Sequence, residues 1–154
     1  MGMFLGIDAA ASGLTAERLR MDVISNNIAN ANTTRTENGG AYHRRYVVFE
    51  PRKKEDKSFE GFMKKAMTPT GELGSFEIGE GVRAVEIRAD DTQGPLVYDP
   101  GHPDANAEGY VERPNVNVVA EMVDMITASR AYEANVTTIQ AAKSMTSQAL
   151  NIGK

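Results

Sequence analysis

Two long apolar recurrences, one at each end, constrain this chain more than any other feature. Near the N-terminus Ile7, Leu14, Met21 and Ile28 recur every seven residues. Ala10 or Ala11, Ile24 and Ala31 fill the intermediate positions, while Glu17 and Arg18 interrupt them. Near the C-terminus Val118, Met122, Met125, Ser129, Tyr132, Val136, Ile139, Lys143, Thr146 and Leu150 follow alternating steps of four and three. A seven-residue repeat this long predicts a coiled-coil seam more than a globular face. An ordinary amphipathic helix packed on its own domain satisfies the same periodicity.

The predicted helices run over Leu5–Ala31 and Val116–Asn151. The second would be about 50 Å long. Asn115 or Asn117 can cap its start, Pro114 prevents its extension backwards, and Gly153 suits its end. Small residues from Ala9 to Gly13 allow a partner helix to approach closely. Helices of this length do not fold into a sphere within 154 residues. The economical arrangement is a side-by-side pair with the middle of the chain looped out at one end.

The middle is different in kind. Tyr42, Arg44, Tyr46 and Val48 alternate with His43, Arg45, Val47 and Phe49, and Val85 and Ile87 alternate with Glu86 and Arg88. Leu96–Tyr98 follows the Gly94–Pro95 break. These read as short strands, and residues 51–75 read as a long mobile loop. The expected class is mainly α with a small β part. The expected divisions are 1–36 for the N-terminal helix, 37–113 for the middle and 114–154 for the C-terminal helix.

Composition excludes several functions. Hydrophobic residues are 41% of the chain, aromatics 6%, and Trp is absent, so large anchors for a self-contained core are few. There is no Cys, which removes disulfides, thiolate metal sites and cysteine nucleophiles. The net charge of −4 argues against general nucleic-acid binding. Acidic residues interleave with the basic cluster Lys53, Lys54, Lys57, Lys64 and Lys65 and largely cancel its field. No apolar run is long enough for a bilayer span, so direct membrane insertion is not expected, and the start lacks the pattern of a cleavable signal peptide.

Catalytic chemistry has little to build on. Asp99, His102 and Asp104 could supply a few metal ligands, but the local Pro and Gly residues favour a turn-rich connector with local hydrogen bonds. Glu121 and Asp124 read as the solvated face of a helix. No nucleophile–base pair or phosphate-cradling loop is visible. No catalytic residue, cofactor or metal is therefore expected.

The unusual stretch is Ser25–Thr36, where Asn26, Asn27, Asn30 and Asn32 fall within seven residues. Asn is a poor helix-interior residue but offers amide donors and acceptors to other segments. Local capping accounts for Asn32 and Thr33; it does not account for Asn26 and Asn27, which lie inside the apolar repeat.

The segment SGLTAERLRMDVISNNIANANTTRT with the following GGAYHRR, and the segment HPDANAEGYVERPNVNVVAEMVDMITASRAYEANVTTIQAAKSM, resemble the two ends of the bacterial flagellar rod and hook proteins. The short middle is most similar to the basal-body rod proteins. Ala41 and His43 vary the usual Gly-Gly-Pro-Tyr-Arg step. The resemblance implies a proximal-rod subunit without enzymatic activity. Such a subunit leaves the cell through the flagellar type III export apparatus without a cleavable signal. It joins copies of itself and other rod proteins helically in the periplasm, and it passes motor torque to the hook. It also implies paired terminal helices and poorly ordered termini in the free subunit. On this reading Ile7, Leu14, Met21 and Ile28 form a seam with Met122, Ile126, Tyr132, Val136 and Ile139. Asn27, Ile28, Ala29, Asn30, Asn32 and Thr33 are the expected subunit interface. The competing classes are a type III export-associated helical chaperone or secreted coiled-coil binding protein, and a metal-dependent hydrolase.

Overall fold

The computed structural model describes residues 2–37, 39–52 and 81–152. Two helices carry the fold: α1, Gly2–Ala29, and α2, Val118–Ile152. Four strands lie between them: β1, Arg45–Pro51; β2, Val82–Ala89; β3, Leu96–Tyr98; and β4, Tyr110–Glu112. β1 pairs antiparallel with β2, and β3 pairs antiparallel with β4. The mainly helical class with a small β part is as expected. β4 is a strand the sequence reading lacked, and Pro51 ends β1 rather than opening a loop. From residue 53 onwards the loop expected over 51–75 lies outside the described residues, as do the basic cluster and Gly153.

Local chemistry sets the helix ends. Asn117 caps α2, its Oδ1 accepting from the amides of Val119 and Ala120. At the end of α1 the Asn30 side chain donates to the Asn26 carbonyl, and Thr33 donates to Asn30 Oδ1. The Asn26 carbonyl also accepts from the Asn30 amide, and beyond it the Ala31 and Thr33 amides turn back to the carbonyls of Ile28 and Asn30, three residues earlier, which tightens and ends the helix. Threonines inside α2 bond back to preceding carbonyls, as Thr127 does to Val123 and Thr138 to Ala134.

α1 and α2 lie side by side and antiparallel. Asn27 meets Glu121, and the backbone at Gly13 approaches Asn135. Fourteen residues along α1 are thus matched by fourteen along α2. On α2 Glu121, Ala128 and Ala142 are buried, and Val118, Asp124, Met125, Ser129, Ala131, Tyr132, Asn135, Val136, Ile139 and Thr146 are half-buried. Most of the expected positions keep this side, but Met122 and Lys143 are exposed, and Glu121 and Ala142, one residue earlier, are buried in their stead.

The β1–β2 pair lies along α1. Seven residues of β1 span about 23 Å, close to the rise of α1 from Asn27 back to Ser12, about 22 Å. One end is held by Asn27, which bonds Arg45, and the other by Ser12, whose Oγ accepts from the Val82 amide. A bulge in β2 resets which residues share a face. Val47 pairs with Ile87 and Arg45 with Ala89, whereas Phe49 pairs with Ala84 and Pro51 with Val82, leaving Val85 extra. Val82 and Ala84 would otherwise face opposite to Ile87 and Ala89; the extra residue puts all four on one face.

Gly94 shows how tightly the smaller hairpin is fitted. A Cβ there would collide with the Arg113 carbonyl, beside the bond from the Arg113 amide to Pro95. Gly94→Ala should therefore lower stability by about 2–4 kcal/mol. Gly101→Ala, where an added Cβ meets only Asp99 Oδ1 at 3.6 Å, should be near neutral. Urea denaturation followed by circular dichroism checks both.

Candidate functional site

The largest fully buried side chains are Glu121 and Asn27, both 0% exposed. They sit where α1, α2 and the entry to β1 converge. Asn27 Nδ2 donates to the Arg45 carbonyl at 2.8 Å and to Glu121 Oε2 at 2.9 Å. Asn27 Oδ1 accepts from the Arg45 amide and the Tyr42 hydroxyl, each at 2.9 Å. The side-chain amide thus reads both backbone groups of Arg45, as a neighbouring strand would. Arg44 Nε donates to Glu121 Oε1 at 2.6 Å, and its Nη2 reaches Asp124 at 3.3 Å. Arg20 approaches the other oxygen of Asp124 at 3.7 Å. Asn115 accepts from the Arg44 amide and donates to the Asp90 carbonyl.

This network explains how a carboxylate is accommodated inside the chain. Glu121 lies in the first turn of α2, where the helix dipole favours negative charge. It also receives a charge-assisted bond from Arg44 and an amide bond from Asn27. Burial pushes the Tyr42 phenol above its ordinary value of 10.0; nearby Arg45 opposes this and Glu121 adds to it. Thr92, through its hydroxyl and its amide, holds the Asp90 carboxyl below its ordinary range.

The structure redistributes the residues singled out from sequence. Asn27, expected at a subunit interface, is enclosed within the chain because two other segments, Tyr42–Arg45 and the start of α2, use its amide. Asn30 and Thr33 bond locally and are partly buried, as is Ile28, whereas Ala29 and Asn32 are exposed. Of the expected seam, Ile7, Leu14, Met21, Tyr132, Val136 and Ile139 are partly buried. Met122 and Ile126 are 53% and 55% exposed. These two point away from α1 because the seam on α2 is turned by one residue. Glu121, read from sequence as solvated, is instead buried. Tyr42, Arg44 and Glu121 were missed as a group. Their signal was present: a carboxylate in the first turn of an apolar helix start, and the Tyr-His-Arg-Arg run shortly after two glycines.

The Asp99–Asp104 turn makes local bonds. Asp99 Oδ1 accepts from the Gly101 amide, and His102 Nδ1 accepts from the Asp104 amide at 3.1 Å. Asp104 also takes the Thr34 hydroxyl at 2.8 Å and lies 3.7 Å from Arg35. Its role is to tie the segment after α1 to the β3–β4 hairpin. Among the described residues no three His, Asp or Glu side chains gather as a metal site.

Val119, Met122, Val123 and Ile126 are all more than half exposed and line the side of α2 opposite Glu121. Antiparallel terminal helices, a β region inserted between them and an uncovered apolar helix face define a class of chain whose two ends meet in one bundle. Two families match its ends: residues 7–35 match the flagella basal body rod protein family, and residues 107–152 match the C-terminal family of the flagellar basal body rod FlgEFG proteins. The flagellar basal-body rod protein FlgC of Borreliella burgdorferi is 50% identical, covering 99% of this chain and 98% of that protein. The FlgC protein of Bacillus subtilis is 45% identical over the whole of both chains, and that of Escherichia coli is 36% identical over 96% of this chain and 95% of its own. The chain belongs to the flagellar basal-body rod protein FlgC family.

Arg44→Ala would leave Glu121 buried without its cation and should cost about 3–5 kcal/mol, against about 1 kcal/mol or less for the exposed Arg83→Ala. Chemical denaturation of the two variants measures the difference. Tyr42 supplies a pH test. Its folded pKa is raised, so its contribution is complete below pH 10 and is lost as pH rises through the folded value. Tyr42→Phe should flatten this alkaline loss of stability in denaturation curves recorded between pH 8 and 11.

Proposed function

We propose that this chain is a structural subunit of the proximal rod of the bacterial flagellar basal body. The reading has it exported through the flagellar type III apparatus without a cleavable signal. It would then assemble helically with copies of itself and other rod proteins in the periplasm and carry torque from motor to hook. Its work is mechanical, and no catalytic step is assigned to it. Full-length similarity to FlgC proteins supports the rod assignment. The observation that carries assembly is the apolar face Val119, Met122, Val123 and Ile126, left uncovered on a helix whose other side is engaged.

Within this reading α1 and α2 wind as a short coiled coil through Ile7, Leu14, Met21, Tyr132, Val136 and Ile139. Met122 and Ile126 move from that seam to the subunit interface. Ile28, Ala29, Asn30, Asn32 and Thr33 extend the interface past the end of α1. Asn27 does not belong to it.

A chromosomal null strain complemented with variants tests the proposal. Ile126→Glu alters an exposed side chain, so the purified subunit should keep its circular dichroism spectrum and urea midpoint. Swimming in soft agar should fall to the level of the null strain, and isolated basal bodies should lack the rod beyond this subunit. Wild-type swimming by the double variant Val123→Glu, Ile126→Glu would overturn the assigned face. Full motility of the null strain would overturn the rod reading itself.

A further inference from the structure

The chain has eight methionines and neither Cys nor Trp, so its thioethers are the side chains most readily oxidised. Among the described side chains Met21 and Met125 are half-buried, whereas Met122 is 53% and Met145 is 56% exposed. The last two meet solvent equally, but their settings on α2 differ. Met122 has Val119 three residues before it, Val123 beside it and Ile126 four residues after it, all more than half exposed. Met145 has Ala141, Ala142, Gln148 and Ala149 at the three- and four-residue spacings. One exposed sulfur thus sits in the middle of an apolar face, and the other among small or polar neighbours.

A hydroperoxide oxidises such a thioether in one two-electron step. The sulfur attacks the terminal peroxide oxygen, and an S–O bond forms as the O–O bond breaks. The proton on the transferred oxygen passes to the departing oxygen, which leaves as water or an alcohol. Sulfur is oxidised to the sulfoxide and the peroxide is reduced. At Met122 the product is a polar, hydrated oxygen in the middle of Val119, Val123 and Ile126. The side chain points away from α1 and lies outside the Asn27–Glu121–Arg44 network, so the fold itself tolerates the change.

We propose that Met122 is an oxidation site whose sulfoxide withdraws the free subunit from assembly. The inference rests on the rod reading, in which the chain passes from a reducing cytoplasm to an oxidising compartment before its apolar face is covered. Contact between subunits gains from dehydrating that face, and a sulfoxide within it would have to give up its water without a partner. Once a neighbouring subunit covers the face, the sulfur is shielded and the oxidant no longer reaches it. The reaction therefore acts on subunits that have not yet assembled. Met145 reacts as readily in the free chain, but no apolar face surrounds it and assembly is indifferent to its oxidation.

Hydrogen peroxide added to the purified full-length chain, followed by proteolysis and mass spectrometry, tests the chemistry. Met122 and Met145 should convert to sulfoxide at least about threefold faster than Met21 and Met125, with the circular dichroism spectrum unchanged. Equal rates at all four would overturn the site. Met122→Gln and Met145→Gln each place a polar side chain of similar length and test the consequence in the complemented null strain. Met122→Gln should slow swimming in soft agar at least about threefold while the purified variant keeps the wild-type urea midpoint. Met145→Gln should swim as the wild type does. Wild-type swimming by Met122→Gln, or equal loss with both variants, would overturn the proposal while an immotile null strain left the rod reading standing. A null strain that swims would overturn the rod reading and this inference with it.

Discussion

The buried Glu121 carboxylate is the constraint from which the rest of the arrangement follows. A charge removed from water is tolerated only when opposite charge and hydrogen-bond donors surround it. Here those groups come from three parts of the chain: Asn27 near the end of α1, Arg44 at the entry to β1, and the first turn of α2 itself. Satisfying Glu121 therefore fixes where α1 crosses α2 and where the hairpin departs. Apolar packing alone, among so many alanines, would leave the helix register poorly specified.

α1 serves two partners at once, which accounts for its modest pattern. Gly13 and Asn27 face α2, Ser12 faces the hairpin, and Asn27 also reads the edge of β1. A helix buried on two sides does not show one clean stripe. The extra residue Val85 keeps Val82, Ala84, Ile87 and Ala89 on a common face of the hairpin. The same bulge, with the exposed charges of Arg83, Glu86 and Arg88, guards the open edge of β2 against unwanted strand pairing.

Much of the fold was legible in the sequence, because long periodic helices and alternating strands are local signals. Both helices, a cap at Asn115 or Asn117 and strands over 42–49, 85–88 and 96–98 follow from such signals; the structure selects Asn117 and sets the first two strands at 45–51 and 82–89. β4 did not, since three residues among glycines and asparagines carry no pattern until a partner strand is known. The first part of the seam on α2, at Met122 and Ile126, was misplaced by one residue for a physical reason. Ranking positions by hydrophobicity favours Met122 over Glu121, but the structure buries the carboxylate because Arg44 and Asn27 meet it there. Both lie far away in sequence. The same long-range pairing hid the role of Asn27, whose unusual position in the apolar repeat was visible although its partners were not.

That one-residue rotation has a consequence for what the helices can do alone. It turns small or polar residues inwards, Ala128, Asn135 and Ala142 among them, and turns Val119, Met122, Val123 and Ile126 outwards. Two helices meeting through alanine and glycine approach closely but bury little apolar area, and at about 25 cal/mol per Å² they gain little from it. Four apolar side chains, Val119, Met122, Val123 and Ile126, remain on the exposed side. A chain built this way holds itself together by a local polar junction, and on the proposed reading its exposed apolar face is left for contact between subunits. That division suits a mechanical element. The junction keeps each subunit's helices in one register, and repeated apolar contacts give the stiffness that no single helix pair supplies.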